Sequence, residues 1–440
     1  MRSARPKVLH TLAGRPMIAH VLAATEEAGA GRAMVALGHE AETVRAALPA
    51  ETLTVVQEPQ LGTGHAVRVA LDALLEGDDG DGDDIALILY GDMPLLRAAT
   101  LLALLDLHRG EPYVLSLLSA IVPHPHGYGR IVRDKDGRVT GVKEHKELAP
   151  DEEGIDEINA GVYCADLAWL RRAVRALPVH PDGEYYLPDL VPLALAEQGG
   201  VEVLRLDEVE GGGADEALGI NTRVQLAAAE AALRARINRA HMLSGVTIVD
   251  PATTYIEPWV AIDQDTTILP NTHLCGATRI GANCVIGPDT EIADSVVDES
   301  ARVTRSVVER AWVGPRCRVG PFAHLRHGAA LTADVEIGNY AEVKNSTIGP
   351  GSVSHHVSYI GDTTIGAKVN IGAGTVTVNY DGVRKHPTVI GDNVFVGSGT
   401  MLRAPVTLGA GSRTGAGAVV LRDVAPGVTV AGVPARPLGE

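Results

Sequence analysis

From residue 262 onward an aliphatic side chain returns at every sixth position, usually followed by glycine. Ile262, Ile268, Leu274, Ile280, Ile286 and Ile292 keep the period, and it resumes at Val313, Val319, Leu325, Leu331, Ile337 and Val343. A third run reads Ile390, Val396, Leu402 and Leu408, with Thr414 weakening it before Val420. A period of six matches neither a helix nor a half-buried strand. It predicts a parallel β-helix with three short sides per coil and about nine coils between residues 262 and 423, each side adding one aliphatic to an interior ladder. The Ile-Gly-x-Asn/Asp spelling suits tight corners, where glycine supplies positive φ.

Two stretches depart from the period. Around residues 343–360 the phase slips, and Ser354-His355-His356-Val357-Ser358-Tyr359 reads as a replacement for an ordinary side. Residues 377–388 hold Asn379-Tyr380-Asp381-Gly382-Val383-Arg384-Lys385-His386, which reads as a loop expelled from the coil. Such a loop closes at small entropic cost and can carry function.

Residues 1–220 alternate strand and helix patterns. Residues 33–37 and 52–57 read as short strands, 85–89 as the apolar run of a buried parallel strand, and 65–75 and 100–109 as helices. This predicts a doubly wound, Rossmann-like α/β domain with ligands at the carboxyl ends of its strands. A Gly/Glu-rich loop at 207–217 follows. Residues 222–243 then place Leu226, Ala229, Leu233, Ile237 and Ala240 at helical spacing, which predicts one amphipathic linker helix.

Composition agrees with a thin-cored solenoid: aromatics are only 3% and glycines number 49. The net charge of −17 argues against a nucleic-acid surface, while a local cation cluster can still bind an anion. Cys164, Cys275, Cys284 and Cys317 lack metal-binding spacing and read as free thiols of a reducing compartment. With no signal peptide and no apolar run long enough to span a bilayer, a soluble cytoplasmic protein is expected.

Asp92, in Tyr90-Gly91-Asp92 after the 85–89 strand, is placed either to hold a divalent metal at a phosphate or to serve as a turn residue. The loop Gln60-Leu61-Gly62-Thr63-Gly64-His65 can bring backbone N–H groups to a base or phosphate. Gly127-Tyr128-Gly129-Arg130-Ile131, Glu144 and Asn159-Ala160-Gly161 either hold sugar hydroxyls or are solvated. On the solenoid, Arg326, Lys344, His356 and Tyr359 gather polar and basic character. A neutral histidine suits a general base, and paired cations suit a phosphate.

Taken in order with Pro6-Lys7-Val8-Leu9-His10, Glu144-His145-Lys146, Glu184-Tyr185-Tyr186 and Gly219-Ile220-Asn221, these stretches resemble the sugar-phosphate nucleotidyltransferases. With the hexapeptide repeats behind them, essentially the whole chain resembles the bacterial bifunctional family of N-acetylglucosamine-1-phosphate uridylyltransferases/glucosamine-1-phosphate acetyltransferases. The resemblance implies a uridylyltransferase domain at 1–221, the linker at 222–243 and a left-handed β-helix acetyltransferase domain at 244–440 that forms a homotrimer. It implies Lys7 on the phosphates of UTP, Gln57, Gly62 and Thr63 on its uracil, and Tyr90, Gly91 and Asp92 in the same site. Asp92 and Asn221 would bind Mg²⁺, and Gly129, Glu144 and Asn159 would hold N-acetylglucosamine. In the second domain it implies His356 as base, and Arg326, Lys344, Tyr359 and Asn370 around glucosamine-1-phosphate. Ala373, Asn379, Tyr380, Ser398, Ala416 and Arg436 would line the acetyl-CoA groove, with Asn379 also positioning the sugar.

That family opens with a Gly-rich loop, Leu-Ala-Ala-Gly-x-Gly-Thr-Arg-Met, whereas this chain begins Met1-Arg2-Ser3-Ala4-Arg5-Pro6-Lys7. The expectation is therefore an absent first strand and phosphate loop, and little uridylyl transfer. The competing readings are an acetyltransferase alone, a non-catalytic solenoid scaffold, and a related nucleotidyltransferase for another sugar.

Overall fold

The computed structural model describes residues 1–74, 84–110, 113–197 and 200–438. They form two compact units, Met1–Ala232 and Leu233–Glu440.

The first unit opens with β1 (Thr11–Leu12), β2 (Arg15–Pro16), α1 (Met17–Glu27), β3 (Met34–Leu37), α2 (Ala41–Arg45), β4 (Leu53–Val56) and α3 (Thr63–Leu74). Next come β5 (Ile85–Ile88), α4 (Ala98–Gly110), β6 (Tyr113–Ile121), β7 (Arg130–Arg133), β8 (Val139–Lys143) and β9 (Glu157–Asp166). The unit's last strand and helices are α5 (Leu167–Ala176), α6 (Leu190–Ala196) and β10 (Gly200–Arg205). The main sheet has the order β10-β6-β9-β7-β8, with β5 also on β9.

Strand directions depart from the doubly wound expectation. The 85–89 run is not a buried parallel strand: β5 lies antiparallel to β9, Ile85 opposite Asp166 and Ile88 opposite Tyr163, and is half-buried. The reason is local. β9 follows the β7–β8 hairpin rather than a helical crossover, and so enters the sheet reversed. β3 and β4 form a separate parallel pair that bonds to no other strand among the described residues.

β9 shows why this sheet forms. Its alternate residues serve two layers: Val162 and Cys164 pack with Leu101 and Leu105 of α4, while Tyr163 and Ala165 pack with Trp169 and Leu170 of α5. Asp166 caps α5 by accepting from Trp169 N at 2.8 Å.

Helix α7 (Arg223–Leu243) spans the division between the units. Ala229 and Leu233 are buried and Leu226 and Ile237 half-buried, but Ala240 is exposed. Asn238 is buried instead and donates to Pro251 O at 2.9 Å and Thr254 O at 3.0 Å, fastening the helix end to the start of the solenoid.

The second unit is a three-faced parallel β-helix. Every periodic aliphatic is buried; Ile286, Leu325 and Val396 have no exposed surface. The weak position is also interior. Thr414 lies 2.9 Å from the Thr400 hydroxyl and accepts from Gly397 N, so its buried oxygen is satisfied.

The phase slip at 343–360 is milder than the sequence reading holds. The ladder continues through Ile348, Ser354, Ile360, Ile365 and Ile371, with single residues dropped at corners. Val353–Ser354 and Ser358–Gly361 are ordinary sides, and only His355-His356-Val357 is a corner. Ser354 and Ser358 point inward and bond to each other at 2.8 Å, bracketing that corner. All four cysteines are free thiols. No helix among the described residues is long and apolar enough to cross a membrane.

Candidate active sites

The site of the first unit surrounds a cleft of about 650 Å³ lined by Gln57, Gly62, Thr63, Tyr90, Glu144, Lys146, Glu184 and Tyr186, among others. One wall is the 60–64 loop, zipped to residues 184–187. Gly64 N donates to Tyr185 O and Tyr185 N to Leu61 O, each at 2.9 Å, while Leu187 N reaches the Thr63 hydroxyl at 3.1 Å. Gly62 sits at φ 88°, and a Cβ there would meet Tyr185 O at 2.7 Å, so only glycine allows this approach. Gln57 braces the loop by donating to Gly62 O at 2.9 Å.

The floor is Tyr90, whose hydroxyl bonds Thr63; burial pushes its pKa up to about 12. Its ring fills the space left by Gly161, where a Cβ would come within 2.5 Å. Gly129 O accepts from Asn159 N at 2.9 Å, and Asn159 is steadied by Tyr163, to whose hydroxyl it donates at 2.7 Å. Burial first, and then the neighbouring Glu147, raise the pKa of Glu144.

Lys7 Nζ lies 2.6 Å from Asp92 Oδ2 and 2.9 Å from Asn221 Oδ1. Two oxygens from distant parts of the chain thus converge on one positive point. A Cβ at Gly91 would meet only Val8 and Ile18, at ordinary contact distance, so this position does not demand glycine.

In the second unit, Arg326 and Lys344 occupy matching outward positions on successive rungs, in line with the Leu325–Val343 pairing. The next rung presents Gly361. A Cβ there would meet the Tyr359 hydroxyl at 2.6 Å and Asn379 Nδ2 at 2.8 Å, so both polar groups sit in the gap beneath Lys344. Arg326 donates to Glu342 at 2.7 Å. Lys385, on the expelled loop, sets its ammonium beside that of Lys344. Lys385 first, with Arg326 adding to it, holds Lys344 below the usual lysine range; Lys385 moves the other way, because Lys344 gives up its proton first and leaves Lys385 the charged member of the pair, with nearby Asp362 adding to it.

His356 lies at the opposite edge of the face that carries Tyr359, exposed, and its ring makes no hydrogen bond among the described residues. Its neighbour His355 is tied to Glu336 at 2.9 Å. The edge continues in small residues: Gly374 N bonds Val357 O, Gly399 N bonds Ala373 O, and Gly417 N bonds Ser398 O. Ala373, Ser398 and Ala416 therefore follow one another along a smooth edge, about 10 Å from first to last at ordinary strand spacing. Asn370 borders this edge on the adjoining face. Arg436 lies on the terminal strand Arg436–Pro437, exposed, and Tyr380 is exposed on the loop.

The chain matches the MobA-like NTP transferase domain family over residues 1–149, the GMPPB C-terminal domain over 255–350, and the bacterial transferase hexapeptide family over 387–422. It is 46% identical to the bifunctional protein GlmU of Trichlorobacter lovleyi, over 97% of this chain and 91% of the relative. It is 44% identical to that of Heliobacterium modesticaldum over 97% and 91%, and 45% identical to that of an Exiguobacterium species over 96% and 92%.

The chain belongs to the bifunctional GlmU family.

As a GlmU it carries out two steps: acetyl transfer from acetyl-CoA to glucosamine-1-phosphate, then Mg²⁺-dependent uridylyl transfer from UTP to N-acetylglucosamine-1-phosphate. Its solenoid is accordingly the left-handed kind. The residues present fit a hard divalent ion, because Asp92 and Asn221 offer only oxygens and already share a cation, the Lys7 ammonium. A site with so few protein ligands leaves positions for phosphate oxygens.

Two features of these GlmU sites went unassigned in the sequence reading. Lys385 joins the Arg326–Lys344 pair only because the loop folds back. Lys146 donates to Tyr186 at 2.6 Å and to Asp182 at 3.2 Å, closing one side of the first cleft. A basic residue inside an expelled loop is the one sequence signal that pointed to Lys385.

Proposed function

We propose that the named residues divide the two activities as follows, with three copies of the chain forming a trimer in the cytoplasm. In the first unit, Lys7 meets the UTP phosphates, Gln57, Gly62 and Thr63 hold the uracil, and Tyr90 and Gly91 support the cleft floor. Asp92 and Asn221 hold Mg²⁺, which when bound offsets the charge of the reacting phosphates. Gly129, Glu144 and Asn159 orient the sugar. In-line attack by a sugar phosphate needs positioning and charge neutralisation rather than a protein base.

In the second unit, Arg326, Lys344 and Lys385 hold the phosphate of glucosamine-1-phosphate, and Tyr359, Asn370 and Asn379 orient its ring. His356 takes the proton that the amine must lose on attacking the thioester carbonyl. Acetyl-CoA lies along Ala373, Ser398 and Ala416, with Tyr380 and Arg436 at its margins. The observation that carries this reading is the edge running from the free imidazole of His356 into a line of small residues, beside a face that ends in three cations. The trimer rests on the same edge: Phe322, Tyr340 and Val357 are exposed on consecutive corners, the first two rings stacked at 5.3 Å. Solvent-facing aromatics in a chain so poor in them suit burial against another copy.

The test is a titration of glucosamine-1-phosphate with Arg326→Ala and Lys344→Ala. Each is expected to raise the KM for this substrate about 10- to 100-fold, the worth of a charge-assisted hydrogen bond, while the KM for acetyl-CoA stays within about twofold. An unchanged KM for the sugar phosphate overturns the assignment.

A further inference from the structure

One residue next to the cation cluster holds both ends of the expelled loop, one through its carboxylate and the other through its main chain. Asp362 Oδ2 accepts from Asn379 Nδ2 at 2.5 Å, where the chain leaves the coil. Its main-chain carbonyl accepts from Thr388 N at 3.1 Å, where the chain returns. The remaining carboxylate oxygen accepts from Asn345 Nδ2 at 2.6 Å, one coil below, and Asp362 N donates to Lys344 O at 3.1 Å. The backbone at Asp362 and Asn345 is left-handed, at φ 50° and 45°, a conformation that Asp and Asn accept best among residues with a side chain.

Asp–Asn pairing at a corner is by itself ordinary in this solenoid. Asn271 donates to Asp289 at 2.9 Å on another edge, where no loop leaves the coil. Asp362 differs in two ways. It spans both feet of an excursion, and it faces the ammonium groups of Lys344 and Lys385. Lys344 and Lys385 both feel its charge, and Lys385 is exposed and carried only by the loop. Three cations gathered without a phosphate repel one another, and a loop free to swing would carry Lys385 away. The neck is narrow, since His386 N also bonds Asn379 O at 2.7 Å. A hold on Asn379 and Thr388 therefore sets where Lys385 points.

We propose that Asp362 is a positioning residue for acetyl transfer: it clamps the 379–388 loop so that Lys385 completes the phosphate site of the amino-sugar substrate. This rests on the phosphate-site reading above. Asp362 touches no reacting atom. It acts through Lys385, and its charge balances the cluster until the substrate phosphate arrives.

The experiment compares Asp362→Asn, Lys385→Ala, their double variant and Asn345→Ala in the full chain. Initial rates are measured against glucosamine-1-phosphate and acetyl-CoA separately. Asn keeps the size of Asp but puts an amide NH₂ against a donor, so one of the two contacts is lost. Asp362→Asn is expected to raise the KM for glucosamine-1-phosphate about tenfold, with the KM for acetyl-CoA within about twofold. The double variant is expected to be no worse than Lys385→Ala alone, because the two residues act as a unit. Asn345→Ala, which removes the contact away from the loop, is expected to stay within twofold of the parent. Amide exchange in residues 380–387 should speed up in Asp362→Asn and slow again on adding glucosamine-1-phosphate.

Multiplying losses in the double variant overturn the proposal, as does an equal rise in both KM values, which marks a general structural defect. Raised KM in Lys385→Ala but not in Asp362→Asn overturns the proposal and leaves the phosphate-site reading standing. No effect in Lys385→Ala removes both. Amide exchange that is unaltered in Asp362→Asn also overturns it, even if activity is too low to measure.

Discussion

Lys7 and Asp92 form an ion pair at 2.6 Å, and Asn221 offers its carbonyl oxygen to the same ammonium at 2.9 Å. The residue that the family resemblance assigns to phosphate thus occupies the point on which the two metal-ligand candidates converge. A divalent ion held by Asp92 and Asn221 would compete with the Lys7 ammonium for that point, and a nucleotide phosphate would resolve the competition by giving Lys7 another partner.

Lys7→Met should therefore tighten metal binding in the absence of nucleotide while weakening UTP. Mn²⁺ titration followed by electron paramagnetic resonance is expected to show an affinity at least about threefold higher than the parent, a modest share of one exposed ion pair. A weaker affinity would mean that Lys7 helps to hold the two ligands in place rather than competing with the ion.

His356→Ala should lower acetyl transfer by about 10²- to 10⁴-fold, the usual contribution of a general base. His356 makes no hydrogen bond among the described residues and is exposed at a corner, so melting temperature and uridylyl transfer should not change. His355→Ala, which removes only the contact with Glu336, should remain within about threefold of the parent.

Glu144 connects function with stability. Its pKa in the folded chain is raised, first by burial and then by Glu147. For an acid shifted upward, the folded state holds its proton more tightly than the unfolded state, so charging it costs stability as pH rises through the ordinary glutamate range toward the raised value. Glu144→Gln should then melt about 1–3 °C higher than the parent at pH 7.5, and the difference should vanish near pH 4. Uridylyl transfer should fall because the sugar contact is weakened. A melting difference that is the same at both pH values would contradict the buried-charge account.

Glu216 is fully buried and paired with Arg97 at 2.8 Å, with the Thr100 hydroxyl donating to it at 2.7 Å. Glu216→Ala should destabilise the first unit by about 3 kcal/mol, because it strands a mostly buried guanidinium. Urea unfolding read from Trp169 fluorescence measures it, since that residue lies in the core of this unit.

The solenoid could be read from sequence because its signal is local and repeated. Each interior position faces the same environment, so Ile286, Leu325 and Val396 are chosen by the same constraint many times over. The free imidazole of His356 stood out for the same reason, since polar residues are conspicuous in a regular pattern. The period could not report how the slip is absorbed. Ser354 and Thr414 look like breaks but occupy the ladder with their hydroxyls satisfied by neighbours that only stacking supplies.

The first unit was less legible, and the reason is sequence distance. Lys7 meets Asp92 across 85 residues and Asn221 across 214, with no periodicity to relate them. The direction of β5 was likewise invisible, because an apolar run states burial but not the sense of its neighbour. By itself the sequence determined the repeat, the two-part organisation and the residue types able to do the chemistry, since these depend on spacing along the chain. Only the tertiary structure decided that Asp362 fastens both feet of one loop, that Lys385 turns back onto Lys344, and that Ala373, Ser398 and Ala416 share an edge with His356. Those relations depend on which coils stack, and stacking is a property of the closed fold.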